Sequence, residues 1–447
     1  MNPPKIMSTP NATRPNISKK IFDVVMFTSD DPIDRRILLE AESLIDAGYS
    51  VIIVIPEGNL SCGNPDFVIR MNELRVSTQK INKNFSSKII NTYRILRPVL
   101  QKIGFNITLL RSIFWSLLVS PEDLYLGLFE PALKVVRGRV FVAHDLPMLP
   151  VALAAAAQQN GRVVFDSHEL FAEQDLFISE RRVWRRLETR LIKQADRVIT
   201  VNQSIAAELA RRYAIPVPEV IANCERWRPH DAFSQGPTLR ELIGVNADRR
   251  IILFQGGLLP NRNLANLVRA MAHVQSSRAI LVLLGDGPLK ISLRRIVERE
   301  NLNNCVFFLD AVPQDQLLEL TRGADVGIIP YRASCLNTYL CTPNKLYEFI
   351  MARLPIIAAD LPEIRVVIER YGIGRVGDVD SATSIAKLID SFFSRTSQTG
   401  PELAARLEHA ADELCWEREA PKLVATIRVV STRPESQRPG FVRHDVV

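Results

Sequence analysis

Short apolar runs rich in β-branched residues recur along the chain, and each is followed by a longer stretch with apolar positions at helical spacing. In order they are FDVVMF (22–27), SVIIVI (50–55), VFVA (140–143), VVFD (163–166) and RVITV (197–201), then IILFQ (251–255), AILVLL (279–284), VFFL (306–309), VGIIP (326–330) and PIIAA (355–359). Near-continuous hydrophobicity marks strands buried on both faces, and the intervening helical stretch supplies the crossover that parallel neighbours require. The pattern predicts an α/β protein with two parallel sheets in two domains. Between the two series, NCERWRPHDAFSQGPTLRELIGVNADRR carries Pro, Gly and clustered charge, which places a linker at 225–248. After the last run, PELAARLEHAADELCWEREAPKLVATI keeps helical periodicity with no strand behind it. The expected organisation is an N-terminal extension over 1–20, a first domain over 21–228, a second over 229–400, a closing helix over 401–430 and a frayed tail over 431–447.

Length agrees with this division, since 447 residues exceed what one hydrophobic core serves. With 47% hydrophobic and 23% charged residues the chain is an ordinary globular one, which excludes disordered and fibrous classes. The six cysteines, at 62, 224, 305, 335, 341 and 415, are widely spaced without a CxxC pair, so neither a disulfide framework nor a zinc ribbon is expected, and a reducing cytosol fits. The first twenty residues hold no signal-peptide core, and no later stretch has the apolar length of a membrane span.

A net charge of +7 points to acidic partners: nucleic acid, anionic lipid or a nucleotide diphosphate. Much of that charge lies between Leu74 and Pro121, which contains Arg75, Lys80, Lys83, Lys88, Arg94, Arg97, Lys102 and Arg111 and no Asp or Glu. Apolar and aromatic residues such as Phe85, Tyr93, Phe105 and Trp115 are interleaved with the cations. Such a basic amphipathic stretch can lie in the interface of an anionic bilayer. The plainer alternative is a helix pair packed on the first domain with a solvated basic face. No nucleic-acid module accompanies the charge, so nucleic acid is not an expected partner.

Ligands of open parallel sheets sit beyond the carboxyl ends of the strands, so the residues just after each apolar run carry the candidate chemistry. The segment CTPNKLYEFIMARLPIIAAD predicts a helix with Thr342 as N-cap, Pro343 at its first position and an end near Arg353. Its free N–H groups and dipole attract phosphate, and Lys345 in the first turn adds a charge that the dipole itself disfavours. Glu348, three residues on, can accept hydrogen bonds from ribose hydroxyls, although Lys345 and Glu348 could equally form an ordinary helical ion pair. After IILFQ come Gly256 and Gly257, which allow close backbone approach, and then Arg262, whose planar fork suits a diphosphate. Gly285, Asp286 and Gly287 follow AILVLL, as a ligand contact or as a capped turn. In the first half, Asp34, Arg35 and Arg36 follow the first run, His144 and Asp145 follow VFVA, and Asp166, His168 and Glu169 close VVFD. Each histidine, taken alone, could be a hydrogen-bonded structural one. No metal site is expected: Asp378 and Asp380 stand in a Gly-containing loop, and adjacent His168 and Glu169 point to opposite strand faces.

Three of these turns, FQGGLLPNRNL, GDGP and PNKLYEFIMARLPIIA, resemble in this order the C-terminal nucleotide-sugar domain of GT-B glycosyltransferases, in particular the large retaining family 4, over residues 21–430. The resemblance implies two Rossmann-like domains facing across a cleft, with the helix that holds a core Trp416 crossing back to the first. It implies a nucleotide-diphosphate sugar as donor, no cofactor and no metal. Gly256, Gly257, Gly285 and Asp286 would lie along the donor, Arg262 and Lys345 would hold its diphosphate, and Glu348 would take the ribose. His168 would stand beside the donor sugar, with His144, Asp145, Asp34 and Arg36 on the acceptor side. Three positions depart from the family pattern. Leu340 replaces the first of two glutamates eight positions apart, leaving Asn337, Thr338 and the Cys341–Thr342 backbone as local polar substitutes. Gly257 stands where an Arg often follows the first glycine, and Arg353 where the helix usually ends in Gly.

The implied function is transfer of a sugar with retention to a hydroxyl acceptor. Coupled with the basic stretch, it suggests a lipid-linked or cell-surface glycan precursor met at the inner face of the plasma membrane. Leu340 keeps open a non-catalytic subunit that binds nucleotide sugar within a glycan assembly complex, and a two-sheet sugar-nucleotide epimerase is a further alternative.

Overall fold

The computed structural model describes residues 20–30, 32–56, 68–70, 120–229, 238–276, 278–394 and 400–433. Almost all of the basic stretch 74–121 lies outside the described residues, as do Cys62, the extension 1–19, the middle of the linker (230–237) and the tail from 434.

Seven strands form the first sheet: β1 (Ile21–Phe27), β2 (Val51–Ile55), β3 (Val68–Arg70), β4 (Arg137–His144), β5 (Arg162–Ser167), β6 (Arg197–Thr200) and β7 (Glu219–Val220), in the order β3-β2-β1-β4-β5-β6-β7. Six form the second: β8 (Arg250–Gln255), β9 (Ala279–Leu284), β10 (Val306–Leu309), β11 (Val326–Ile329), β12 (Ile356–Ala359) and β13 (Gly374–Gly377), in the order β10-β9-β8-β11-β12-β13. All ten apolar runs are strands, and the recorded pairings within the second sheet are parallel. The interior runs are mostly buried, AILVLL along its whole length, as expected for strands with both faces covered. The three strands without an apolar run, β3, β7 and β13, are all sheet edges, where a short strand needs little hydrophobicity.

The described residues divide into two compact units, those within 20–166, 190–197 and 427–433 in one and those within 167–189 and 198–426 in the other. The second contains one continuous core that runs from Leu239 to Cys415 around β8, β9, β11 and β12. Its C-terminal helices, Pro401–Glu413 and Trp416–Thr432, are joined at a fully buried Trp416, whose backbone N–H donates to Glu225 O at 2.7 Å. The last helix begins in the second unit and ends in the first, where Arg162 donates to the Arg433 carbonyl at 2.6 Å.

Candidate functional site

In the second sheet the chain order reverses between β8 and β11, and at such a switch point the carboxyl ends of neighbouring strands leave a crevice. The residues there are Phe254 and Gln255 at the end of β8, Gly256 just after it, and Tyr331 beyond β11. Register sets what lies beside them. Gln255 pairs with Leu284, so Gly256 and Gly285 are the next residues of two adjacent strands. Both have positive φ, 107° and 147°, and a Cβ at 285 would stand 2.1 Å from the Gly256 carbonyl oxygen. A Cβ at 256 would stand 3.6 Å from Lys345 Nζ, so the missing side chain is what leaves that ammonium open.

Lys345 comes from the helix Asn344–Met351. The helix starts one residue later than the sequence suggests: Pro343 is the N-cap, and Thr342 instead receives a hydrogen bond from Asn202 Nδ2 at 3.3 Å. Asn344 is engaged by Asn223 Nδ2 at 2.7 Å. The helix ends at Met351, short of Arg353, which takes the left-handed conformation with φ 56°. The guanidinium of Arg353 is clasped by both oxygens of Glu408 at 2.8 Å, which offsets part of the conformational cost of a non-glycine residue there.

The electrostatics are those of a site short of an anion. Lys345 is 6% exposed, with Nζ 3.7 Å from the Phe254 ring centroid and 5.0 Å from that of Tyr331. The Arg262 guanidinium lies 4.4 Å from the same tyrosine ring. Among the described residues neither cationic head group has a hydrogen bond or an ion pair to protein. Burial and then the Arg262 charge hold the Lys345 ammonium well below the usual lysine range, and Glu348 and Cys341 only partly oppose them. The helical Lys345–Glu348 ion pair left open by the sequence is absent. Glu348 Oε2 instead accepts from Gln255 Nε2 at 2.5 Å, and the other end of that amide lies 2.8 Å from the Thr321 hydroxyl. One carboxylate oxygen is thereby fixed and the other is left to accept.

Beside Arg262 stands a second acid. Glu169 Oε2 accepts from Asn337 Nδ2 at 2.6 Å, Glu169 Oε1 accepts from the Gln174 amide, and Asn337 Oδ1 accepts from Leu170 N at 3.0 Å. Burial raises the pKa of this carboxyl, against the Asn337 hydrogen bond and the charges of His168 and Arg262. Cys341 lies within reach of both charges, its thiol pushed up to about 12 by burial, with Arg262 acting against the shift and Glu169 with it. His168, Asn337, Arg262, Lys345 and Glu348 all belong to the second unit. Glu169 had no role in the sequence reading, because nothing local links it to a residue 168 positions away.

The remaining expected residues have other employment. Asp286 closes its own turn, accepting from Gly287 N at 2.8 Å, with Lys290 3.5 Å away. Gly257 has an ordinary φ, and a Cβ there would meet only Leu259. Thr338 is buried with its hydroxyl 3.3 Å from Cys335 Sγ. Asp378 and Asp380 turn apart: Asp378 accepts from the Asp380 N–H, while Asp380 pairs with Arg332 at 3.1 Å.

In the first unit, Asp34 caps the helix Arg35–Asp46 by accepting from Arg36 N at 2.8 Å. Arg36, expected on the acceptor side, is fully buried. Its fork holds Asp166 at 3.0 and 3.3 Å and Glu40 at 2.9 Å, so it is a structural charge with no face for a ligand. Residues 144 and 166 pair in register across β4 and β5, which brings His144 Nδ1 to 3.1 Å from Asp166 Oδ2 in the interior. Asp145 is left-handed at φ 62°, and its N–H donates to the Asp166 carbonyl at 2.9 Å.

Set beside known proteins, this architecture has wide company. The described sheets match sucrose-phosphate synthase from Thermosynechococcus elongatus with a TM-score of 0.64 at 17% identity, covering 91% of this chain and 98% of that one. HepE from Anabaena, solved in complex with UDP, matches at 0.62 and 14% identity, covering 91% and 99%. The fold is therefore that of the GT-B glycosyltransferases. Residues 237–413 match the family described as glycosyl transferases group 1, and residues 126–224 match Glycosyltransferase Family 4. The second half of the chain thus carries a segment of the group 1 glycosyl transferase family, and its first half a segment of Glycosyltransferase Family 4. Among curated relatives, the D-inositol 3-phosphate glycosyltransferase of Streptomyces scabiei is 25% identical over 276 residues, 57% of this chain and 58% of that protein. The chain spans about half the length of the curated relatives it matches.

Proposed function

We propose that the protein transfers a sugar from a nucleotide-diphosphate donor to a hydroxyl acceptor, with retention of anomeric configuration. The observation that carries this reading is the pair of cations, Arg262 and Lys345, that share the Tyr331 ring at the switch point with no ion pair or hydrogen bond to a carboxylate among the described residues. Two like charges held together in a partly desolvated crevice are costly unless a ligand supplies the counter-charge. A diphosphate does so, seated between the two head groups and the open backbone at Gly256. Glu348, oriented through Gln255, faces the nucleotide ribose. Further support comes from the group 1 family match and from the UDP bound by HepE.

Catalysis is then mainly positioning and charge stabilisation. As the bond to the sugar breaks, negative charge grows on the leaving phosphate oxygen, and Arg262, Lys345 and the leading end of the helix Asn344–Met351 meet it, a role that needs no divalent ion. That same oxygen can take the proton of the incoming hydroxyl. The proposed acceptor is a lipid-linked or cell-surface glycan precursor. This rests on the basic sequence 74–121, and the proposed location is the inner face of the plasma membrane. Among the described residues no helix is long and apolar enough to cross a membrane. Sedimentation with anionic vesicles at low salt, reversed by added salt, is the expected sign of peripheral attachment; no sedimentation at low salt would overturn that part.

The donor reading is tested by calorimetry with UDP, GDP and ADP in buffers of different ionisation enthalpy. The free Lys345 ammonium has a depressed pKa, and a bound diphosphate raises it. Binding in mildly alkaline buffer is therefore expected to take up a proton. Affinity is full below the free-enzyme pKa and is lost as pH rises towards the bound-state pKa. Failure of all three diphosphates to bind would overturn the site.

A further inference from the structure

We propose that Glu169, held in place by Asn337, is the residue that reads the transferred sugar, its carboxylate accepting from hydroxyls of the donor's glycosyl group. The inference rests on the donor reading above and assigns the end of the site that reading leaves open.

Position is the first argument. Asn337, which holds Glu169, lies in the connection from Tyr331 to the helix of Lys345, and Asn202 ties the end of its short helix Leu336–Leu340 to Thr342 just before that helix; the Arg262 charge acts on Glu169 and Lys345 alike. Glu348 and Glu169 are thus the two acids whose charges act on the cationic pair, one on the helix of Lys345 and one held through Asn337. With the diphosphate between the cations and the ribose at Glu348, the group esterified to the far phosphate is delivered to Glu169.

The second argument is how the carboxylate is held. It is largely enclosed, yet among the described residues it has no ion pair; its fixed partners are two neutral amides, one on each oxygen. Every carboxylate oxygen can accept more than one hydrogen bond, so each keeps capacity for a hydroxyl donor. Asn337 cannot turn away, because its own oxygen is pinned by Leu170 N. Leu340 offers no polar atom from its side chain, and its carbonyl is taken by Asn202 Nδ2 at 2.8 Å. An acid anchored by amides, without a direct ion pair and next to an anion site fits a polyhydroxylated ligand better than a structural role does.

The test compares the nucleoside diphosphate that binds best among UDP, GDP and ADP with its glucose ester, on the wild type, Glu169→Gln and Asn337→Ala, with thermal unfolding to verify the fold. Diphosphate affinity is expected not to fall in either variant, because Glu169→Gln removes a negative charge that acts against the anion. The sugar ester is expected to lose roughly 10- to 100-fold in affinity or KM with Glu169→Gln, the scale of a hydrogen bond to a charged group, and less with Asn337→Ala, which removes an anchor but keeps the acid. A donor lacking the hydroxyl that Glu169 reads should show little difference between wild type and Glu169→Gln. If Glu169→Gln weakens diphosphate and sugar ester equally, or neither, the assignment fails while the donor reading stands. If the wild type binds no diphosphate, both fail together. Should Glu169→Gln not fold, the same comparison on Asn337→Ala decides.

Discussion

Lys345→Met is expected to raise the stability of the unliganded protein by about 1–2 kcal/mol while weakening nucleoside diphosphate binding by roughly 100-fold or more. Both effects have one cause. In the free protein the ammonium is desolvated, repelled by Arg262 and without an ion pair, so its charge is a cost that folding bears for the ligand's benefit. Methionine keeps an unbranched stem of similar length against the Phe254 ring, where a thioether packs well, and removes the charge. The opposite signs separate a ligand-binding lysine from a packing one. Arg262→Met should lose binding on the same scale with less gain in stability, since Arg262 is only half-buried. Thermal midpoints without ligand and calorimetric affinities check both; a less stable Lys345→Met that binds diphosphate normally would make Lys345 a structural residue.

Gly285→Ala is expected to destabilise the protein by about 3 kcal/mol or more, from positive-φ strain and a clash in a filled space. The added methyl would sit 2.1 Å from the Gly256 carbonyl oxygen and 3.0 Å from its carbon, both main-chain atoms that cannot rotate away as a side chain would. The relief available is to push the Gly256 turn toward Lys345, which closes the space proposed for the diphosphate, so donor affinity should fall with stability. Gly48→Ala is the control: φ there is also positive, at 90°, but nothing lies within 4 Å of the new Cβ, and only about 1 kcal/mol is expected. Chemical unfolding of the two variants measures the difference; equal losses would show that the approach of the two turns carries no energetic weight.

The parts of the site that sequence pattern reveals are those built within one strand–turn–helix step. Gly256, Arg262, Lys345 and Glu348 each lie just beyond an apolar run or in the helix that follows it, where the end of a buried strand fixes the place of the next few residues. The helix start at Asn344 was misplaced by one residue because Thr342, a good cap by type, is engaged by Asn202, which is far away in sequence. Arg36 was misplaced because its arrangement with Glu40 and Asp166 exists only once β5 is laid beside β4.

The order of apolar and polar residues by itself determined ten strands, their parallel arrangement in two series and the turns proposed to carry the phosphate chemistry. These follow from hydrophobic burial and backbone geometry acting over a few residues. Tertiary structure alone decided that the Lys345 ammonium rests on Phe254 and Tyr331 instead of on Glu348, that Glu348 is aimed by Gln255, and that Glu169 meets Asn337 beside Arg262. A charge takes its partner from whatever the folded chain places within a few ångströms, and that neighbour is set by how strands are ordered in the sheet, not by distance along the sequence.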